Sequence, residues 1–165
     1  MRILPWTTMA MPRILAMRAA FVAFGGGLVV VALMVPVVGG GRGHSVSPGV
    51  AAAGVAGYGI YTVIVTKLVV ERKSLGAIPA ELIGAQYMTR YFVCIAFAMS
   101  VPFVGFIAMA LAGEPLPLAV GYLFGVPMLL RAAPTRRRIA TDDAKRRAQG
   151  GDGSLSDALF APHPE

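Results

Sequence analysis

The sequence predicts an all-α, polytopic integral membrane protein with four transmembrane helices. Of its 165 residues, 56% are hydrophobic and only 14% are charged, whereas an average soluble domain carries roughly 25% charged residues. The mean hydropathy is +0.70, and four long segments contain no charged residue at all. These observations exclude an ordinary soluble domain and place most of the chain in a lipid bilayer.

A helix of about 20 apolar residues spans the hydrocarbon core. The first and third segments qualify outright, whereas the second and the shorter fourth reach this length when their helices extend past one basic residue. The predicted spans cover residues 19–41, 48–70, 91–113 and 115–133. The second contains Lys67 and the fourth Arg131 near the end, where a long basic side chain can extend to the headgroups. The resulting transmembrane domain, residues 19–133, lies between an N-terminal segment, residues 1–18, and a basic tail, residues 134–165.

The first span could instead belong to a cleaved signal peptide, since Arg2, Arg13 and Arg18 precede it as a basic flank. Its apolar run, however, is longer than the core of about 7 to 15 residues that signal peptides have, and no A-x-A pattern follows it. We therefore predict that this segment is retained as a transmembrane helix.

The distribution of basic residues predicts the orientation. With four spans, the N-terminal segment, the connection between the second and third spans, and the tail lie on one side of the membrane. That side holds every basic residue of the chain except Arg42. Because an excess of lysine and arginine marks the cytoplasmic side, we expect a protein of the plasma membrane with both termini in the cytoplasm.

The net charge of +7 does not indicate a nucleic-acid partner, because the basic residues lie at the ends of apolar runs and in the tail. Such residues are attracted to the anionic inner leaflet of a membrane. We expect the basic residues that follow the fourth span to contact anionic lipid, namely Arg131, Arg136, Arg137, Arg138, Lys145, Arg146 and Arg147.

Two pairs of spans resemble each other, the second with the fourth, and the first with the third through the segments 35–39 and 101–105. Gly57-Tyr58 in the second span corresponds to Gly121-Tyr122 in the fourth, and the same alignment places Lys67 on Arg131. A parallel duplication of one helical hairpin would explain the pattern. Chance similarity between segments built from alanine, valine, glycine and leucine would also explain it, and both interpretations stay open.

Glycines indicate where helices approach each other closely. Gly121 and Gly125 form a GxxxG pair in the fourth span, a spacing that lets another backbone approach. Gly25, Gly26 and Gly27 are adjacent in the first span, where glycine lowers helix stability. We predict helix contacts at all five glycines.

The tail predicts two further helices. Thr135 can cap one that runs to Gln149, stabilised by Asp142 and Asp143 pairing with the arginines four residues later, Arg146 and Arg147. A capping-box-like spacing at Ser154–Asp157 then introduces a short apolar segment, which is either a docking helix or, as the sequence favours, a frayed end.

The connection before the third span also carries apolar residues at helical spacing, Leu75, Ile78, Leu82 and Ile83. These predict a helix lying in the membrane interface.

The span centres carry only small polar residues, Thr62, Cys94 and Ser100, which usually pack or bond between helices. His44 and His163 are isolated, so we predict neither a metal nor a cofactor. The sequence therefore favours a non-catalytic accessory, scaffold or assembly subunit of a membrane complex, with a membrane-protein partner or a second copy of itself. A small oligomeric transporter or channel component is the alternative, and a membrane enzyme acting on lipid is a third interpretation.

Overall fold

The computed structural model describes residues 12–38, 45–71, 79 and 82–160, and the regular structure within these residues is entirely helical. The helices are α1 (Arg13–Leu33), α2 (Val35–Val38), α3 (Pro48–Val65), α4 (Ile83–Ala112), α5 (Leu116–Ala132), α6 (Arg136–Ala148) and α7 (Leu155–Phe160). A π-helix, Thr66–Glu71, continues α3 directly. The predicted all-α class is confirmed.

Three segments are long and apolar enough to cross a membrane, Arg13–Val37, Pro48–Leu68 and Ile83–Ala112. A fourth candidate consists of α5 together with α6, whose axes differ in direction by 69°. The structure thus contains three to four candidate spans, in keeping with a membrane-embedded protein.

Helix α4 is the centre of the bundle, because α1, α3 and α5 all pack against it. Its tightest neighbour is α5, which follows after a sharp reversal at Gly113, where φ is 71°. The two helices approach closely at Gly105 and Gly121, since a Cβ on Gly105 would lie 3.3 Å from the Cα of Gly121. Helix α3 packs against both members of this hairpin, whereas α1 packs chiefly against α4.

Helix α4 begins earlier than the apolar run that predicts it. It starts at Ile83, so the stretch up to Arg90 continues the span instead of forming a separate interfacial helix. Ile83 is buried and Leu82 is exposed, which corrects the amphipathic pattern predicted for this connection. Leu75 and Ile78 lie outside the described residues.

The tail folds back onto the bundle. Thr135 caps α6 by accepting the Arg138 N–H at 3.3 Å, and Ser154 Oγ accepts the Asp157 N–H of α7 at the same distance. Helix α7 then packs against α1, α4 and α6. This segment therefore forms a docking helix, and the prediction of a frayed end, which the sequence favoured, is wrong.

A compact apolar cluster holds the tail in place. We call it the tail core, and its buried members are Ile14, Met17, Ile83, Tyr87, Ile139, Leu155 and Leu159. Residues from α1, α4, α6 and α7 contribute, so the earliest and latest helices of the structure meet here. The Tyr91 hydroxyl adds a hydrogen bond to the Met17 carbonyl at 2.7 Å.

Candidate functional site

An open cleft of about 480 Å³ lies where α4, α5 and α6 meet. We call it the basic cleft. It is lined by Arg90, Arg131, Thr135, Arg137, Arg138, Thr141, Asp142, Lys145, Arg146 and Gln149. Basic side chains dominate this lining, and among the described residues Asp142 is the acidic one that lines it. A concave surface lined by charges of one sign concentrates the electrostatic potential, so the cleft attracts anions.

The bend between α5 and α6 creates the cleft. Pro134 cannot continue α5 because it lacks a backbone N–H, and Thr135 is extended before α6 begins. The chain therefore turns through 69°. Arg131 in the last turn of α5 and Arg138 in the first turns of α6 consequently line the same concavity.

Asp142 is held at one wall of the cleft. Its Oδ2 accepts a hydrogen bond from the Tyr87 hydroxyl at 3.0 Å and lies 3.9 Å from Arg138 Nε. The sequence had paired Asp142 with Arg146, and the structure replaces that pair with contacts to α4 and to the preceding turn of α6. The Asp142 carboxylate is thus already engaged by Tyr87 and Arg138.

Arg146 has a structural position. Its side chain is fully buried, and Nη1 donates to the Gly153 carbonyl at 2.6 Å. The predicted Asp143–Arg147 pair is present at 2.7 Å, and Asp143 also accepts the Leu155 N–H at 2.8 Å. Arg146 therefore borders the cleft with its side chain buried and bonded to the loop before α7, whereas Arg136 and Arg137 are exposed.

A smaller cavity of about 40 Å³ adjoins the basic cleft and shares Arg131 and Arg138 with it. Thr66, Lys67 and Cys94 also line it. The Thr66 hydroxyl is buried and has no hydrogen-bond partner among the described residues. The space is sufficient for a water molecule or one ligand atom group.

Thr66 was not predicted as a site residue, because a threonine at a helix end is common. One signal did point to this region. The alignment of the second and fourth spans placed Lys67 on Arg131, and both residues line the smaller cavity.

The five candidate packing glycines divide into two groups. A Cβ on Gly121 would lie 3.0 Å from the Cα of Pro102, and one on Gly125 would overlap the Pro102 ring and lie 2.8 Å from the Ala98 carbonyl oxygen. Gly27 has only the Met99 methyl group nearby, at 4.0 Å. Gly25 and Gly26 have open space instead, so they mediate no helix contact with the part of the chain that the structure describes.

The polar side chains of the span centres bond to groups inside the bundle. Tyr58 donates to Ser100 Oγ at 3.1 Å, and Ser100 donates to the Phe97 carbonyl at 2.9 Å. Thr62 donates to the Gly59 carbonyl at 2.8 Å. Across the described part of the chain, histidine, cysteine, aspartate and glutamate side chains form no group of three or more that could hold a metal ion.

No protein-family model, curated protein or solved structure matches this chain. The residues and their geometry are therefore the basis for interpreting its function.

Proposed function

We propose that this protein is a non-catalytic accessory, scaffold or assembly subunit of a plasma-membrane complex. It would cross the membrane four times, with both termini in the cytoplasm, and bind its partner through the outer face of α1. The observation that carries this proposal is the surface that α1 leaves uncovered.

Helix α1 is the span least enclosed by its own chain. Only 6% of its most apolar stretch is buried, against 28% for α3 and 39% for α4. Two tyrosines attach it to the bundle, because Tyr91 and Tyr122 donate to the carbonyls of Met17 and Leu28. These bonds fix the inner edge of α1 and leave its outer face available.

That outer face has a composition suited to another helix. Val22, Gly26, Val29 and Leu33 recur at helical spacing and are all exposed, so they form one stripe. A Cβ on Gly26 would meet no atom within 4 Å. Transmembrane helices associate through van der Waals packing at small residues, and a glycine between branched side chains permits such an approach.

The bundle interior supports a structural role. The hydroxyls of Tyr58, Thr62 and Ser100 bond to groups within the bundle. The Tyr58–Ser100 bond joins α3 to α4, as polar groups commonly do in membrane bundles, whereas Thr62 bonds within α3.

The gathering of basic residues supports the proposed four-span topology. Arg131, at the end of α5, lines the smaller cavity together with Lys67, which follows α3. It also lines the basic cleft together with Arg90 of α4. Arg13 of α1 lies beside Gly84 at the start of α4. The basic ends of all four helices therefore lie at one end of the bundle, as the positive-inside rule requires of a four-span protein.

Affinity purification of the tagged full-length chain in mild detergent, followed by mass spectrometry, tests the proposal. We expect a stoichiometric membrane-protein partner that is lost with Gly26→Leu. Gly54→Leu is the matched control, because Gly54 is an exposed glycine of α3 that also has open space around it.

A chain that purifies alone, or a partner retained equally by both variants, would contradict the proposed binding face. Recovery of the chain only as a homo-oligomer would favour the transporter alternative.

A further inference from the structure

We infer that the basic cleft and the adjoining Thr66 cavity form a binding site for a phosphate-bearing anionic ligand, presented as the headgroup of a membrane lipid. The inference depends on the basic end of the bundle lying at a membrane surface. It does not depend on the protein being an accessory subunit.

The charges of the cleft come from three helices. Arg90 belongs to α4 and Arg131 to α5, while Arg137, Arg138 and Lys145 belong to α6. Guanidinium groups match the geometry of phosphate oxygens and donate paired hydrogen bonds to them. Convergence of cations from separate elements produces a concave site, which a basic surface on a single helix would not provide.

The start of α6 strengthens the attraction. Thr135, its capping residue, lines the cleft, so the positive end of the helix dipole would face an anion bound there. Helix N-termini stabilise phosphate groups in this way.

Thr66 provides an independent indication of a ligand. Thr62, Thr89 and Thr141 each donate their hydroxyl to a carbonyl of the preceding turn. The buried Thr66 hydroxyl has no such partner in the described structure. It lies at the first residue of the π-helix, and π-helical turns occur frequently at functional sites. A phosphate oxygen, directly or through one water, would satisfy this hydroxyl.

The surroundings of the site favour a lipid over a soluble phosphate compound. Val63 and Met128 line the smaller cavity beside Arg131, and Leu130, next to Arg131, is exposed. A ligand that reaches both the cationic cleft and these apolar side chains carries a phosphate on an apolar body. Phospholipids have this structure.

Native mass spectrometry of the purified full-length chain tests the site. The protein is titrated with phosphatidic acid, phosphatidylglycerol or phosphatidylcholine, and separately with inorganic phosphate. We expect phosphatidic acid to bind most tightly, because its phosphomonoester carries the greatest negative charge, and phosphatidylcholine least.

Two pairs of variants separate a built site from general surface charge. Arg137→Gln should weaken phosphatidic acid binding roughly fivefold, whereas Arg136→Gln, the same change one residue outside the cleft lining, should not. Thr66→Val should weaken binding, while Thr89→Val should leave it unchanged. Thr66→Val removes a hydroxyl that has no hydrogen-bond partner among the described residues, so the melting temperature of this variant serves as the check on folding.

Equal effects of the two arginine variants, or equal binding of phosphatidylcholine and phosphatidic acid, would contradict the proposal that the cleft is a specific binding site. If inorganic phosphate binds as tightly as phosphatidic acid and responds to the same variants, the phosphate site is supported but a lipid is not its specific ligand. Since the α1 variants lie elsewhere, failure here leaves the partner-binding proposal intact, and the reverse also holds.

Discussion

At the scale of single residues, chemically identical arginines differ in role. Arg136 and Arg137 are exposed, whereas Arg146 is buried and bonded to the loop before α7. In sequence, all of them look like basic residues of a solvated tail. Burial of an arginine depends on whether a distant segment covers it, and local composition carries no information about that.

We expect Arg146→Met to release the loop between α6 and α7. Methionine retains most of the apolar stem but removes the donor to the Gly153 carbonyl, and a hydrogen bond to a charged group contributes about 1.5 to 3 kcal/mol. Hydrogen exchange at Leu155–Phe160 measures the effect. Lys145→Met, an exposed neighbour, is the control, and equal protection in both variants would show that Arg146 does not hold the loop.

The candidate packing glycines also differ in role despite their identical chemistry. Gly125, which the GxxxG spacing singles out, lies against the Pro102 ring, but the more conspicuous Gly25 and Gly26 have open space around them among the described residues. The sequence identifies glycines at which another helix could approach closely. Tertiary packing determines which helix, if any, lies there.

Gly125→Ala should destabilise the bundle by about 1 to 3 kcal/mol, because the added methyl group overlaps the Pro102 ring and overpacking costs that much. Gly25→Ala should be neutral or slightly stabilising, since its Cβ meets open space and alanine favours the helix. Thermal unfolding in detergent compares the two. Equal melting temperatures would mean that α5 can shift away from α4 without cost.

At the scale of helices, local signals predict the starts of elements better than their docking. Thr135 and Ser154 cap α6 and α7 as their spacing indicates. The start of α4 was missed because Arg90 marks the edge of the apolar run and does not mark the edge of the helix. The buried face of α4 begins two turns earlier, at Ile83, and continues through Tyr87 and Tyr91. This earlier start is explained by the tail, which covers Ile83 and Tyr87.

Helix α7 should undock when its buried face is truncated. Leu159 is completely buried in the tail core, and replacing a buried leucine with alanine costs about 2 to 5 kcal/mol. Such a loss exceeds what a helix this short can tolerate, so Leu159→Ala should expose the segment to limited proteolysis. Phe160→Ala, at the exposed neighbour, should be cleaved no faster than the unmodified chain. Protection of both variants would argue against docking through Leu159.

At the scale of the whole molecule, composition and charge predicted the membrane class, but the basic cleft could not be predicted. Its lining depends on the local bend at Pro134 and on α4 lying beside α6, and the second is a long-range feature. The suggested duplication is not reflected in equivalent packing. Helices α4 and α5 form a tight hairpin, whereas α1 packs chiefly against α4.

The proposed topology predicts opposite accessibility for two introduced cysteines. Ser45 is exposed, and its N–H donates to Leu111 near the end of α4 that lies away from the cleft. Ser45→Cys, with the buried Cys94 replaced by alanine, should react with a membrane-impermeant maleimide in intact cells. Gln149→Cys in the same background should react only after permeabilisation. Labelling of Gln149→Cys from outside intact cells would show that the orientation is opposite to the proposed one.

The composition of the tail core has a consequence for biosynthesis. Ile14 and Met17 are translated long before Leu155 and Leu159, yet all four side chains are buried in one cluster. Domains that fold during translation do so from the N-terminal side, but this cluster cannot close until its last helix has left the ribosome. The first span is therefore inserted with part of its apolar surface uncovered. A nascent chain halted before α7 would present that surface to chaperones and quality-control proteases.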